Sequence, residues 1–170
     1  KLMLVGDLLS DNMFVSNLNG SFIDTYNFNY NAAQNEFSFY DTLYGAIAKC
    51  NLVINNTTVA NNDEVTRIKG EAKTLRALAY FTLVNYYSAT PTSGVNQEYG
   101  VPLVLTDYDA TIQPARATVA QVYNQIIADL KDGINQTSAT SSKKVTFSKT
   151  AAKLILSKVY LTRRAAGDAA

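Results

Sequence analysis

The residues best suited to chemistry lie between Asn17 and Phe39, where aromatic and asparagine side chains are mixed. From Tyr26 to Tyr30 the two kinds alternate, which in a strand or extended loop would place the rings on one face. Aromatic rings stack on the apolar faces of sugars, and asparagine amides both donate to and accept from hydroxyl groups. The segment is therefore predicted to contact a hydroxyl-rich ligand through Tyr26, Asn27, Phe28, Asn29, Tyr30 and Asn31.

The same alternation has a second interpretation that involves no ligand. A half-buried strand also places every second side chain on one face, and Tyr26, Phe28 and Tyr30 would then pack inward. Full burial of Tyr26 and Tyr30 would exclude the ligand hypothesis.

Charge is unevenly distributed along the chain. Between Leu2 and Ala48 there are five acidic residues and neither lysine nor arginine, although the whole chain has a formal net charge of +1. Such a surface suits hydroxyl-rich ligands or a hard cation such as calcium, and a solvated loop has the same composition. No cofactor is predicted, and calcium is the only candidate metal. Nucleic-acid binding is not expected, because the largest basic clusters are the pairs Lys143-Lys144 and Arg163-Arg164.

The residue types do not indicate catalysis. The chain has no histidine, and its single cysteine, Cys50, lies in an apolar helical stretch typical of a small core residue. No activated nucleophile, glycine-rich phosphate loop or metal-ligand spacing stands out. A glycosidase would need two carboxylates roughly 5 to 10 Å apart, and no such pair is apparent, so we predict a non-enzymatic protein. No run of about 18 apolar residues is present, so no segment is expected to span a membrane.

Several charged residues allow a functional interpretation but fit a structural one better. Arg76 is predicted to lie at a helix-packing seam and to bond to a carboxylate or carbonyl. Arg67 and Glu71 are four residues apart and are predicted to form an ordinary surface pair. Asp107 and Asp109 could ligate calcium, but their position in a loop favours turn residues.

Apolar residues at three- and four-residue spacing predict four helices in two pairs. We expect one domain over 1–170, with a loop-rich ligand-side segment over 1–38, a helical hairpin over 39–90, a connecting loop over 91–115 and a second hairpin over 116–166. The predicted caps are Asn61 with Glu64, Thr118 with Gln121, and Ser148. The predicted buried stripe of the second helix is Val65, Ile68, Ala72, Leu75, Ala79, Leu83 and Tyr86.

The two hairpins repeat one another. Leu43-Tyr44-x-x-Ile47 matches Val122-Tyr123-x-x-Ile126 at an offset of 79 residues, and Ala72-Lys73 matches Ala152-Lys153 at an offset of 80. Small residues on the second helices permit close approach, as in the tetratricopeptide hairpin with its A-x-x-x-F pattern. The repeat therefore predicts an all-α fold of tetratricopeptide-like helical hairpins with long irregular loops.

The second helix carries a resemblance to a known family. IKGEAKTLRALAYFTLVNYYSATP resembles the SusD/RagB pattern GEArfLRAyaYFdLVrlyG-vP, and LYGAIAKCNLVI is similar to the family's lY-aI-raN-vI helix. GVPL, then R-x-TV, VYNQIIADL and KTAAKLILSKVYLTRR follow the family's order and spacing. The chain lacks the tryptophan usual near Tyr40, and family members are far longer. We therefore expect the N-terminal part of a larger SusD-like fold.

The resemblance implies a lipoprotein on the outer face of a Gram-negative outer membrane, anchored through a lipid outside this chain. Its implied partner is a SusC-type TonB-dependent transporter, and the pair captures oligosaccharides, or peptides in some members, for uptake. The resemblance also implies that the region before the first paired helix contributes to the glycan site. The predicted function is thus cell-surface nutrient binding, and a tetratricopeptide-type adaptor for protein partners is the alternative.

Overall fold

The computed structural model describes residues 6–10, 12–16, 18, 22–29, 39–138 and 146–168. These residues form the helices α1 (Ile23–Tyr26), α2 (Tyr40–Ile54), α3 (Asp63–Tyr87), α4 (Val119–Gln136) and α5 (Lys149–Arg163). They contain no β-strand, only an isolated antiparallel bridge between Pro102 and Arg116. The predicted all-α fold with long irregular loops is confirmed. The chain divides into two compact units, Lys1–Thr42 and Leu43–Ala170.

The starts of α3, α4 and α5 follow from side-chain capping. Thr118 and Gln121 form the predicted capping box at α4, and Ser148 accepts from the backbone N–H of Ala151 at α5. The prediction of Asn61 as the cap of α3 is wrong.

At α3 the cap is Asn62, whose Oδ1 accepts from the N–H of Val65 at 2.8 Å. The helix begins one residue later than the Asn61–Glu64 spacing predicts. Glu64 therefore stands at the second helical position and not at the third, which a capping box requires, and it pairs with Arg67.

Glycines set the packing of α3 on α4. A Cβ added to Gly70 would lie 2.7 Å from Cβ of Gln136, and one added to Gly133 would collide with Oγ1 of Thr74 and lie 3.1 Å from the carbonyl oxygen of Gly70. Such contacts are closer than van der Waals packing allows, so the crossing requires glycine on both helices. The small residues of the two helices bring their backbones together.

The buried face of α3 differs from the predicted stripe. Ala79 and Leu83 are buried as expected, but Ile68 is 41% exposed and Leu75 is 39% exposed. The buried face runs instead through residues that hydrophobic spacing does not select, namely Gly70, Thr74, Arg76, Ala77, Tyr80 and Val84. Close glycine packing and hydrogen-bonded polar groups decide which side of this helix is covered.

The segment after Gly100 is held by side chains of α2 and α3. Nδ2 of Asn51 donates to the carbonyls of Val104 and Thr106, each at 2.9 Å. The hydroxyl of Tyr80 donates to the Val104 carbonyl at 2.9 Å and accepts from its N–H at 2.8 Å. Backbone N–H and C=O groups that pack against helices need hydrogen-bond partners. The side chains of Asn51 and Tyr80 supply the partners that a neighbouring strand would supply in a sheet.

Candidate functional site

A buried polar cluster joins three helices around Arg76. Its guanidinium donates to both carboxylate oxygens of Asp129 on α4, each at 2.7 Å, and to Oδ1 of Asn51 on α2 at 2.8 Å. Arg76 and Asp129 are 5% and 3% exposed, so this paired charge is closed to a ligand. The predicted position of Arg76 at the packing seam is confirmed.

Cys50 lies beside this cluster and is 4% exposed. Burial raises the pKa of its thiol, although the nearby charge of Arg76 acts in the opposite direction. The thiol therefore stays protonated and inert near neutral pH, as predicted for a small core residue.

The other charged pairs also have structural roles. Arg67 bonds to Glu71 and to Glu64 along the exposed side of α3, which confirms the predicted surface pair. Asp109 accepts from the hydroxyl and the backbone N–H of Thr111, and these bonds hold the pKa of its carboxyl below its usual value. Asp109 is thus a turn residue, as predicted.

The N-terminal unit contains an open groove of about 640 Å³, which we call the N-terminal groove. Its described walls combine aromatic, aliphatic and amide groups, a composition typical of small-molecule sites. The residues that line it are Leu8, Leu9, Ser10, Asn12, Met13, Phe14, Tyr26, Asn27 and Phe28.

The aromatic rings of the groove differ in exposure. Phe14 and Tyr26 meet edge to face with ring centroids 6.0 Å apart, and Tyr26 is half-buried by the unit. Phe14 is 77% exposed and Phe28 is 65% exposed, so both rings offer apolar surface to a ligand. Leu8 also lines the groove and is only 2% exposed, so it belongs to the apolar core of the N-terminal unit.

The predicted extended conformation of Tyr26 to Asn29 is wrong. Tyr26 ends the helical turn α1, and Phe28 has a φ of 56°, in the left-handed region. The N–H groups of Phe28 and Asn29 donate to the carbonyls of Thr25 and Asp24 at 3.1 and 2.7 Å. A segment whose backbone hydrogen bonds close a local turn does not place successive side chains on alternate faces.

The turn nevertheless brings half of the predicted ligand residues into one place. Tyr26, Asn27 and Phe28 line the N-terminal groove, whereas the exposed Asn29 does not. Tyr30 and Asn31 lie outside the described residues. Since Tyr26 is only half-buried, the condition that would exclude the ligand hypothesis is not met for this residue.

Sequence reasoning missed the opposite wall of the groove. Ser10, Asn12 and Phe14 come from an earlier stretch, and nothing in their spacing points toward Tyr26. The available signal was composition, because this stretch also mixes an aromatic ring with amide and hydroxyl side chains. Among the described residues no group of three or more histidine, cysteine, aspartate or glutamate side chains could hold a metal ion.

The chain matches the sequence profile of a SusD-like family over residues 3–161, and the family is described as starch-binding and associating with the outer membrane. The chain belongs to the SusD-like family. This confirms the resemblance identified from the sequence. None of the curated proteins is significantly similar to this SusD-like chain. Within the described residues, no helix is both long and apolar enough to cross a membrane.

Solved structures show the same fold. A SusD superfamily protein from Bacteroides fragilis is 32% identical with a TM-score of 0.78, and the match covers 94% of this SusD-like chain and 39% of that protein. A protein from Bacteroides vulgatus described as sugar binding is 30% identical with a TM-score of 0.76, over 85% of this chain and 33% of that one.

A third similar structure is described as a laminarin-binding SusD-like protein. It is 27% identical with a TM-score of 0.69, and the match covers 86% of this chain and 31% of that protein. The chain thus spans between 31% and 39% of the lengths of these three structures.

Proposed function

We propose that this chain is part of a non-enzymatic, cell-surface glycan-binding protein, and that the N-terminal groove contacts the glycan. The observation that carries the proposal is the family match over residues 3–161 to starch-binding proteins of the outer membrane. The laminarin-binding structure at 27% identity supports an oligosaccharide as the ligand.

The groove has the groups that sugar binding requires. Phe14 and Phe28 present exposed rings that can stack on the apolar face of a pyranose, while Ser10, Asn12 and Asn27 bring hydroxyl and amide groups to the same walls. Binding through stacking and neutral hydrogen bonds needs no cofactor. It also needs no paired carboxylates, in keeping with a role in capture rather than cleavage.

The whole protein is proposed to be lipid-anchored on the outer face of the outer membrane and to deliver its ligand to a SusC-type TonB-dependent transporter. Family membership supports this placement, because the family is described as associating with the outer membrane. Affinity purification of the whole protein from its native membrane tests the partnership. Recovery of a TonB-dependent transporter in stoichiometric amount is expected, and recovery of soluble protein partners alone would favour an adaptor role.

A glycan array followed by calorimetric titration tests the binding role, with laminarin oligosaccharides as the first neutral ligand. Phe14→Ala and Phe28→Ala are expected to weaken binding about tenfold each, because each removes an exposed stacking surface. Tyr108→Ala is the matched control, since Tyr108 is 75% exposed and does not line the groove. Unchanged affinity in both groove variants would reject the groove as the contact surface, and cleavage of the glycan would reject the non-enzymatic role.

A further inference from the structure

A second concavity, of about 530 Å³, lies where α3 ends. Its volume is within the range of about 300 to 1,000 Å³ typical of small-molecule sites. It shares no lining residue with the N-terminal groove. We call it the Arg116 concavity, and its walls include Tyr86, Tyr87, Ser88, Asn96, Tyr99 and Arg116.

The guanidinium of Arg116 is held in a fixed orientation. Its Nε donates to the carbonyl of Gly100 at 2.6 Å, and its Nη2 donates to the carbonyls of Tyr87 and Tyr99 at 2.6 and 3.2 Å. These bonds join the end of α3 to the loop that follows it. Nη1 makes no hydrogen bond within the described part of the chain, so one edge of the planar group still has donors available.

The positive charge of Arg116 is not compensated by a described residue. Arg67, Arg76 and Arg163 each form an ion pair with an aspartate or glutamate, whereas Arg116 forms none with any residue that the structure describes. Carbonyl oxygens orient a guanidinium but carry no net charge. A fixed, exposed guanidinium with donors available is preorganised to bind a carboxylate.

The other walls suit a ring that carries hydroxyl groups. Tyr99 is 54% exposed and presents a flat surface next to the cation. Asn96 is exposed in the same wall, and its side-chain amide can donate to and accept from the hydroxyl groups of a sugar.

We propose that the Arg116 concavity is an accessory site for an acidic sugar, namely a uronic acid residue whose carboxylate binds Arg116 and whose ring stacks on Tyr99. The inference rests on the proposed glycan-binding function and extends it to a second site with a different ligand charge. The N-terminal groove offers no described cation, so the two sites select different sugars.

Titration of the protein with a digalacturonate, followed by backbone amide NMR and calorimetry, tests the site. The expected result is shifts at Ser88, Asn96 and Tyr99, and an affinity that falls as salt screens the charge pair. Arg116→Gln is expected to weaken binding about tenfold or more, because a charge-assisted hydrogen bond is lost. Since Arg116 also anchors a loop, Tyr99→Ala provides a second variant that keeps all backbone bonds, and it should weaken binding several-fold.

The controls separate this inference from the proposed function. Tyr108→Ala should bind digalacturonate as the unchanged protein does, and Phe28→Ala should affect only neutral glycans. The inference is overturned by absence of digalacturonate binding, by shifts confined to the N-terminal groove, or by equal affinity in Tyr99→Ala. Equal binding of acetate would also overturn it, because the ring would then contribute nothing. Failure of laminarin binding with retained digalacturonate binding would reject the groove alone.

Discussion

The second helices of the two hairpins, α3 and α5, correspond in sequence but differ in burial. At the repeat offset of 80 residues Tyr80 corresponds to Tyr160. Tyr80 is fully buried, whereas Tyr160 is only half-buried. Eight residues of α3 are buried, but in α5 only Ala152 and Val159 are. The repeat therefore specifies where a helix forms, and not how much of it is covered.

The difference follows from the neighbours of each helix. Side chains of α2 bond to α3 and α4 packs against it, while α5 packs mainly against α4. In stacked helical repeats each element is stabilised by its immediate neighbours, so a helix with two neighbours contributes more than a helix with one. Substitutions at matched positions of the two hairpins test this explanation.

The largest effect is expected at Arg76, whose repeat equivalent at the offset of 80 is Leu156. Arg76→Leu gives the first hairpin the residue of the second and leaves the carboxylate of Asp129 buried without its partner. The expected loss is about 3 to 5 kcal/mol in the free energy of unfolding, measured by urea titration. The double variant Arg76→Leu with Asp129→Leu should recover most of the loss, and no recovery would show that the charge pair itself is required.

A smaller loss is expected at the contact between the hairpins. Gly133→Ala places a methyl group against Thr74 and the carbonyl of Gly70, so thermal unfolding should show a destabilisation of about 1 to 3 kcal/mol. Gly45→Ala in α2 is the matched control, because a Cβ there meets nothing within 4 Å. This control should be stabilised by about 1 kcal/mol through helix propensity. Equal effects of the two variants would contradict the close glycine packing.

Alkaline pH should weaken the second hairpin through Tyr123, the repeat equivalent of Tyr44. Burial raises the pKa of the Tyr123 hydroxyl from 10.0 to about 12. Because the folded state holds the proton more tightly than the unfolded state, the protonated hydroxyl contributes to the free energy of unfolding. This contribution is complete below pH 10 and is lost as pH rises through about 12. The loss should reach about 2 to 3 kcal/mol, measured by urea titration across this range. Tyr123→Phe should remove this part of the pH dependence.

The smallest effects are expected from phenylalanine substitutions at the two matched tyrosines, Tyr80 and Tyr160. Tyr80→Phe removes a hydroxyl that bonds to both backbone groups of Val104, and the expected cost is about 1 to 2 kcal/mol. Tyr160→Phe should change stability by less than about 0.5 kcal/mol, since Tyr160 is partly exposed and its substitution keeps the ring. Equal losses measured by thermal unfolding would show that α5 is covered as fully as α3.

The candidate site was predictable only in part. Tyr26, Asn27 and Phe28 were selected by composition and do line the N-terminal groove, but the alternation that suggested an extended strand does not describe their backbone. A period of two over five residues is too short to outweigh a local turn closed by backbone hydrogen bonds. Phe14 joins the site through tertiary contact with Tyr26, which no local pattern encodes.

Local and periodic signals in the sequence determined the four long helices, the capping at Thr118 and Ser148, and membership of the SusD-like family. These features depend on residues close in the chain or on a long ordered pattern, and both can be recognised from the sequence alone. Only the tertiary structure decided which face of α3 is buried and how Arg116 is oriented. Both depend on groups distant in sequence, because burial and charge compensation are properties of neighbours in space.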